Sequence, residues 1–320
     1  MKNTIQIVVF LAVVLTTLEG FSQQDPLYTQ YYNNFSLINP AYAGNHGLFT
    51  ATGNIRSQWG GVPDGPETQT LSVHGPAGDN VGLGFSVVHD KVYVLDETHL
   101  YADFSYTIEV SEKASLSFGI KGGGSFLNVD LLALNMSNDL LFSENINTFN
   151  PNIGAGAFYF TDKFYASASA LNILKTEHFK NSDNIVSSAS DEVVFYLASG
   201  YVFDLSQTLQ LKPSVLVRAV NNSPVSTNIS SSILWNQKAE FGMSYRIDEA
   251  VSFLFQLRLT DRIKMGYAYD AFTNDINKEN NGSHEISLVF NINKKTNNKR
   301  KSPFYWMGKK EPEKTINQEE

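Results

Sequence analysis

Apolar and polar residues alternate with a period of two along most of this chain. Phe49, Ala51, Gly53 and Ile55 oppose Thr50, Thr52, Asn54 and Arg56; Leu100, Ala102, Phe104, Tyr106 and Ile108 oppose His99, Tyr101, Asp103, Ser105 and Thr107. Period two is the side-chain period of a strand with one apolar face. No convincing apolar stripe at the helical period appears after residue 22. About 14 segments carry the alternation: 48–59, 67–75, 81–89, 97–109, 114–125, 152–160, 163–173, 191–203, 207–219, 225–235, 238–247, 250–260, 262–272 and 284–293. Most are close to the roughly 9–11 residues of a tilted transmembrane strand. The faces are least distinct in 67–75 and 225–235.

Loop lengths separate a membrane barrel from a soluble sandwich. Even-numbered segments end in short links such as Ser111-Glu112-Lys113, Thr161-Asp162 and Asn236-Gln237. Odd-numbered segments mostly end in longer ones, about 26 residues after the fifth and about 17 after the seventh, with the tight turn Asp248-Glu249 as the exception. Short turns at one rim and long loops at the other are the arrangement of an outer-membrane barrel. Charge position agrees: Arg56, Asp103, Lys121, Lys212, Arg218, Glu240, Arg246, Arg258, Lys264, Asp270 and Glu285 all fall on the polar parity of their segments. Facing a lumen they are solvated or paired, whereas a basic residue on the lipid face costs about 2–4 kcal/mol at mid-membrane. The expected fold is all-β, a transmembrane antiparallel β-barrel of about 14 strands over residues 48–293.

Composition narrows the class further. The 320 residues hold no Cys, 24 Lys+Arg against 32 Asp+Glu, and a formal charge of -8. That excludes a basic nucleic-acid binder, a disulfide scaffold, a thiolate zinc site and a Cys nucleophile. Residues 1–22 form a secretory signal: Lys2, the apolar run Ile5 to Leu18, and small residues at Gly20 and Ser22. The competing reading, a membrane anchor, needs roughly 18–20 apolar residues, more than the run supplies.

Residues 23–47 are neither periodic nor charged, and they carry a resemblance. Asp25-Pro26, the pair Gln30-Tyr31 and the run Asn39-Pro40-Ala41-Tyr42-Ala43-Gly44, followed by Arg56-Ser57-Gln58-Trp59, resemble the mature N-terminus of the PorP/SprF family. These are outer-membrane proteins of the type IX secretion and gliding machinery of Bacteroidetes. The resemblance implies a secretion component that assists export or surface attachment of cargo, such as a gliding adhesin with a C-terminal sorting domain. It also implies contact with periplasmic and lipoprotein subunits of the machinery. The residues themselves point to a small plug in or under the barrel. Asn39-Pro40 sets a turn, Gly44 lets the chain reverse, and Tyr28, Tyr31, Tyr32, Phe35 and Tyr42 supply rings with hydroxyl ends. The bland alternative is a disordered leader, against which the aromatic density argues.

Residues 294–320 form a basic tail around Phe304, Tyr305 and Trp306. With an even strand count both ends of the chain fall in the periplasm. The tail reads either as a docking peptide for an acidic partner or as a solvated terminus. The six His stand in no metal-ligand or catalytic spacing, and no nucleophile elbow or phosphate loop is present. No enzymatic activity, cofactor or metal is expected. The alternative function is a plugged channel for small or apolar solutes, since the Asn39-Pro40-Ala41 turn before the first strand is also similar to the fatty-acid transporter family.

Overall fold

The computed structural model describes residues 28–45, 47–134, 145–174, 192–221, 223–274 and 280–292. The predicted signal (1–22) and tail (294–320) lie outside them. The strands are β1 (Phe49–Ser57), β2 (Glu67–Pro76), β3 (Val81–Val92), β4 (Leu95–Ser111), β5 (Ala114–Val129), β6 (Ile146–Thr161), β7 (Phe164–Leu171) and β8 (Val194–Tyr201). They continue as β9 (Phe203–Asp204), β10 (Leu209–Val220), β11 (Ser226–Trp235), β12 (Ala239–Arg246), β13 (Ala250–Arg258), β14 (Ile263–Phe272) and β15 (Ser283–Ile292). Each pairs antiparallel with its neighbour, and β1 also pairs with β15, from Phe49 opposite Ile292 to Ser57 opposite His284. The sheet therefore closes. β8 and β9 are two pieces of one stave, because both pair with β10 in a single register. The barrel has fourteen staves, as the alternation predicts. Among the described residues no helix is long and apolar enough to cross a membrane.

The burial pattern is inverted relative to a soluble protein. Arg56 is 1% exposed while its neighbour Ile55 is 55% exposed. Thr52, Ser72, Asp103, Ser117, Glu240 and Glu285 are buried, whereas Leu71, Phe104, Phe118, Ile120, Phe241 and Leu288 are exposed. Apolar side chains outward and polar ones inward suit a wall solvated by hydrocarbon, with the backbone paired in a closed ladder.

Two stretches predicted as loop are ladder instead. β3 and β4 run on past the predicted link at 90–96 to a tight turn at Tyr93 (φ 55°), pairing Asp90 with Glu97, Lys91 with Asp96 and Val92 with Leu95. β5 and β6 likewise continue to Val129 opposite Ile146, with Asn128 Nδ2 donating to Asn147 Oδ1 at 2.9 Å. Beyond the bilayer both faces of a hairpin meet water, so nothing enforces an apolar parity there. The charged and amide residues that made these stretches read as loop are the ones such a hairpin tolerates.

Ile120 sits near the middle of β5 on the outer wall. Ile120→Lys should lower the folding free energy by about 2–4 kcal/mol, measured by urea unfolding in lipid vesicles.

Candidate functional site

The chain's own N-terminal segment lies against the inner face of the barrel wall. From Thr29 to Asn45 nearly every residue is buried, and the segment is held in three short 3-10 turns, Tyr31–Asn33, Phe35–Leu37 and Pro40–Tyr42. A run without periodicity cannot build a longer helix. Its turns are set locally instead: Asn39 Oδ1 accepts from the Ala41 N–H at 2.9 Å, with Pro40 at the first turn position.

One end of the segment is held by charge. Arg56 on β1 pairs with Asp270 on β14 at 2.6 Å and with Glu285 on β15 at 3.0 Å, all three within 1% of full burial. The two carboxylates then grip the segment's backbone and hydroxyl. Glu285 accepts from the Thr29 and Gln30 N–H groups at 2.9 and 3.1 Å and from Asn54 Nδ2 at 2.9 Å. The Thr29 hydroxyl meets both Asp270 oxygens at 2.8–2.9 Å and lies 3.0 Å from Arg56 Nη1. Buried charges are tolerable only when paired and hydrogen-bonded in this way.

Further along, wall hydroxyls donate to the segment's carbonyls: Thr52 to Asn33, Ser169 to Ile38 and Ser105 to Ala43, at 3.3, 2.5 and 2.7 Å. Asn39, fully buried, donates from Nδ2 to Ser167 Oγ at 2.7 Å and to the Ala157 carbonyl at 3.0 Å. Lys264 Nζ reaches Asn33 Oδ1 at 2.6 Å. At the lower end Thr107 donates to Asn45 Oδ1 at 3.0 Å, and Gly44 turns the chain with φ 73°.

The opposite wall is apolar. Phe35 packs among Tyr42, Phe158 and Tyr165 at ring distances of 5.1, 5.5 and 5.9 Å, and Tyr42 stands edge-on to Phe158 at 5.4 Å. Phe160, Tyr196 and Leu216 extend the cluster. Tyr31 reaches across it to Ser214 Oγ at 3.1 Å. Burial raises the Tyr31 and Tyr32 phenols above their usual range, so both stay neutral.

Close approach needs a wall without side chains at two places. A Cβ on Gly119 would overlap the Pro40–Ala41 backbone, and one on Gly82 would overlap the Ala43 carbonyl. Both glycines lie on the inward parity of their strands.

Of the residues singled out by sequence, Gln30, Tyr31, Asn39, Pro40, Ala41, Tyr42, Ala43 and Gly44 all lie inside the barrel. Asp25, Pro26, Phe304, Tyr305 and Trp306 lie outside the described residues. Sequence reasoning missed Thr29, Asn33 and Asn45 in the segment, and it did not assign Arg56, Asp270 and Glu285 to one cluster. A usable signal was present for the glycines, because an inward-parity glycine marks a gap in the wall. Among the described residues no three His, Asp or Glu could hold a metal ion.

Arg56→Ala would strand Asp270 and Glu285 without their counter-charge, a loss of about 3–5 kcal/mol. Limited proteolysis in detergent should then cut the segment near Thr29 in the variant and leave it intact in the parent.

Residues 20–290 match the family described as type IX secretion system membrane protein PorP/SprF. No curated protein matches the chain. Similar solved structures include the CymD monoaromatic hydrocarbon channel, at 11% identity and TM-score 0.49, covering 86% of this chain and 96% of that one. A FadL homologue of Pseudomonas aeruginosa matches at 13% identity and TM-score 0.47, covering 80% and 93%. The Pseudomonas putida toluene transporter TodX matches at 10% identity and TM-score 0.46, covering 85% and 95%.

Proposed function

The chain belongs to the PorP/SprF family of type IX secretion system membrane proteins, and from that premise we propose that it is an outer-membrane docking component of the machinery whose barrel does not conduct. In this reading residues 23–47 act as a fixed plug. The protein works through its rims, by recognising other proteins. The observation that carries it is the occupied lumen. The segment is tied to the wall by a buried charge cluster at Thr29 and by wall hydroxyls and close glycines down to Asn45.

The turns support one orientation. The short links at 77–80, 112–113, 162–163, 236–238 and 259–262 share one rim. That rim is assigned to the periplasm by the usual asymmetry of such barrels. β15 ends there at Ile292, so the tail starts on the same side. Its ring cluster Phe304, Tyr305 and Trp306, among lysines, is proposed to dock on a periplasmic or lipoprotein subunit. The long-loop rim faces out and is left for secreted cargo or an adhesin. The solute-channel alternative requires an open path, which the buried segment argues against. Two cavities beside the segment measure about 30 and 20 Å³, room for a water or two each.

Planar-bilayer recording separates the two readings. The parent protein should give no steady open-pore current, and affinity purification from solubilised membranes should recover machinery subunits. A large steady current without such subunits would favour the channel. Deleting residues 295–320 should leave the barrel inserted but reduce recovery of the periplasmic subunit, and high salt should lower recovery by the full-length chain toward the truncated level, because exposed charges are screened over about 8 Å or less. Equal recovery with and without the tail would make it a solvated terminus.

A further inference from the structure

We propose that the seam between β8–β9 and β10 is a lateral portal, through which an acyl chain of a membrane lipid reaches the inner side of the barrel wall. The inference rests on the lipid-facing outer wall and is independent of the secretion role.

The seam lacks one ladder bond. Val202 separates β8 from β9, and its N–H donates to the Lys163 carbonyl at 2.8 Å, on the β7 side. Successive backbone groups of a strand point to opposite neighbours, so the N–H and C=O of Tyr201 and Phe203 point toward β10. The register, Gly200 opposite Ser214 and Phe203 opposite Leu211, places Tyr201 opposite Pro213. Proline has no N–H, so this rung forms one bond where its neighbours form two. A proline within a sheet belongs at an edge or bulge. Pro213 instead lies inside the 12-residue β10 of a closed barrel, with partners expected on both sides. Strands separate locally where the fewest bonds hold them.

A cavity of about 30 Å³ lies at the seam, and both faces of the wall line it. Tyr201, Pro213 and Met243 come from the outer parity, and Lys212, Glu240 and Tyr32 from the lumen. Closed, it has room for little more than a water, so an acyl chain enters only as the strands part. The occupant is a lipid because the outer face of the seam, where Tyr201, Pro213 and Met243 lie, is set in hydrocarbon. Tyr201 and Phe203 pack there with tilted rings, centroids 4.5 Å apart, and Met243 is 54% exposed.

The test places a photoreactive residue at Val202, which is 8% exposed and shares the inward parity of Gly200. The barrel is reconstituted in phosphatidylethanolamine vesicles, and insertion is checked by heat-modifiable gel mobility. A lipid adduct is expected at Val202 and none at Val289, an inward residue of β15 paired on both sides to Thr52 and Lys264. Pro213→Val restores the missing donor and should cut the Val202 adduct at least about fivefold, as one net hydrogen bond would. In the unsubstituted chain, amide exchange at Tyr201 and Phe203 should outpace that at Ile55 and Ile286 in the β1–β15 seam. No adduct at Val202, equal adducts at both positions, or an adduct indifferent to Pro213→Val would each overturn the portal. Equal exchange at the two seams would overturn it even if the Pro213 variant failed to insert.

Discussion

Arg56 is enclosed with Asp270 and Glu285 where almost no solvent reaches any of them. Each follows from the constraint that makes the barrel. Hydrocarbon outside demands apolar outward parity, so every charged side chain on a spanning strand must turn inward. A lumen enclosed by fourteen staves is too wide for wall side chains alone to fill. Polar groups pointing into it need water or protein as partners. The N-terminal segment supplies protein. Its backbone N–H groups at Thr29 and Gln30 complete the coordination of Glu285, and its carbonyls at Asn33, Ile38 and Ala43 take up wall hydroxyls. Segment and wall are thus each other's hydrogen-bonding environment.

The interior is divided, and the division fixes how the segment sits. Phe158, Phe160, Tyr165 and Tyr196 make the β6–β8 sector aromatic and free of charge, while β1 and β12–β15 carry Arg56, Glu240, Lys264, Asp270 and Glu285. Phe35 and Tyr42 turn to the first sector. Thr29, Gln30 and Asn33 turn to the second. Reversing the segment would put rings against carboxylates and backbone donors against phenyl faces. A peptide with no helical or strand period is nevertheless held in one orientation.

The strands were legible in the sequence because lipid imposes a rule that alternation records directly. Ile55 against Arg56, or Phe104 against Asp103, can be read without coordinates. Legibility ended where the rule stops applying. Past the bilayer, the hairpin through Tyr93 and the β5–β6 extension to Val129 carry polar residues on both faces. In β6 the outward Ala155, Ala157 and Tyr159 are as apolar as the inward Phe158 and Phe160, so parity alone could not reveal an aromatic inner sector. Asn39 could be marked as a turn former. Its partners Ala157 and Ser167 lie more than a hundred residues away, and only closure brings them together.

A segment held this way has little freedom inside the barrel. Withdrawing the segment would break the ion cluster, the hydroxyl contacts and the aromatic packing together, because they share one short stretch of backbone. Such coupling favours a lumen that stays filled during the protein's work. Movement is then left to places where the ladder is thin or the wall ends. Among the described residues Pro213 is a position inside the wall where a strand gives up a ladder donor. The rims, with 22 residues between β7 and β8 on one side and turns of a few residues on the other, are where the two ends of the barrel differ most.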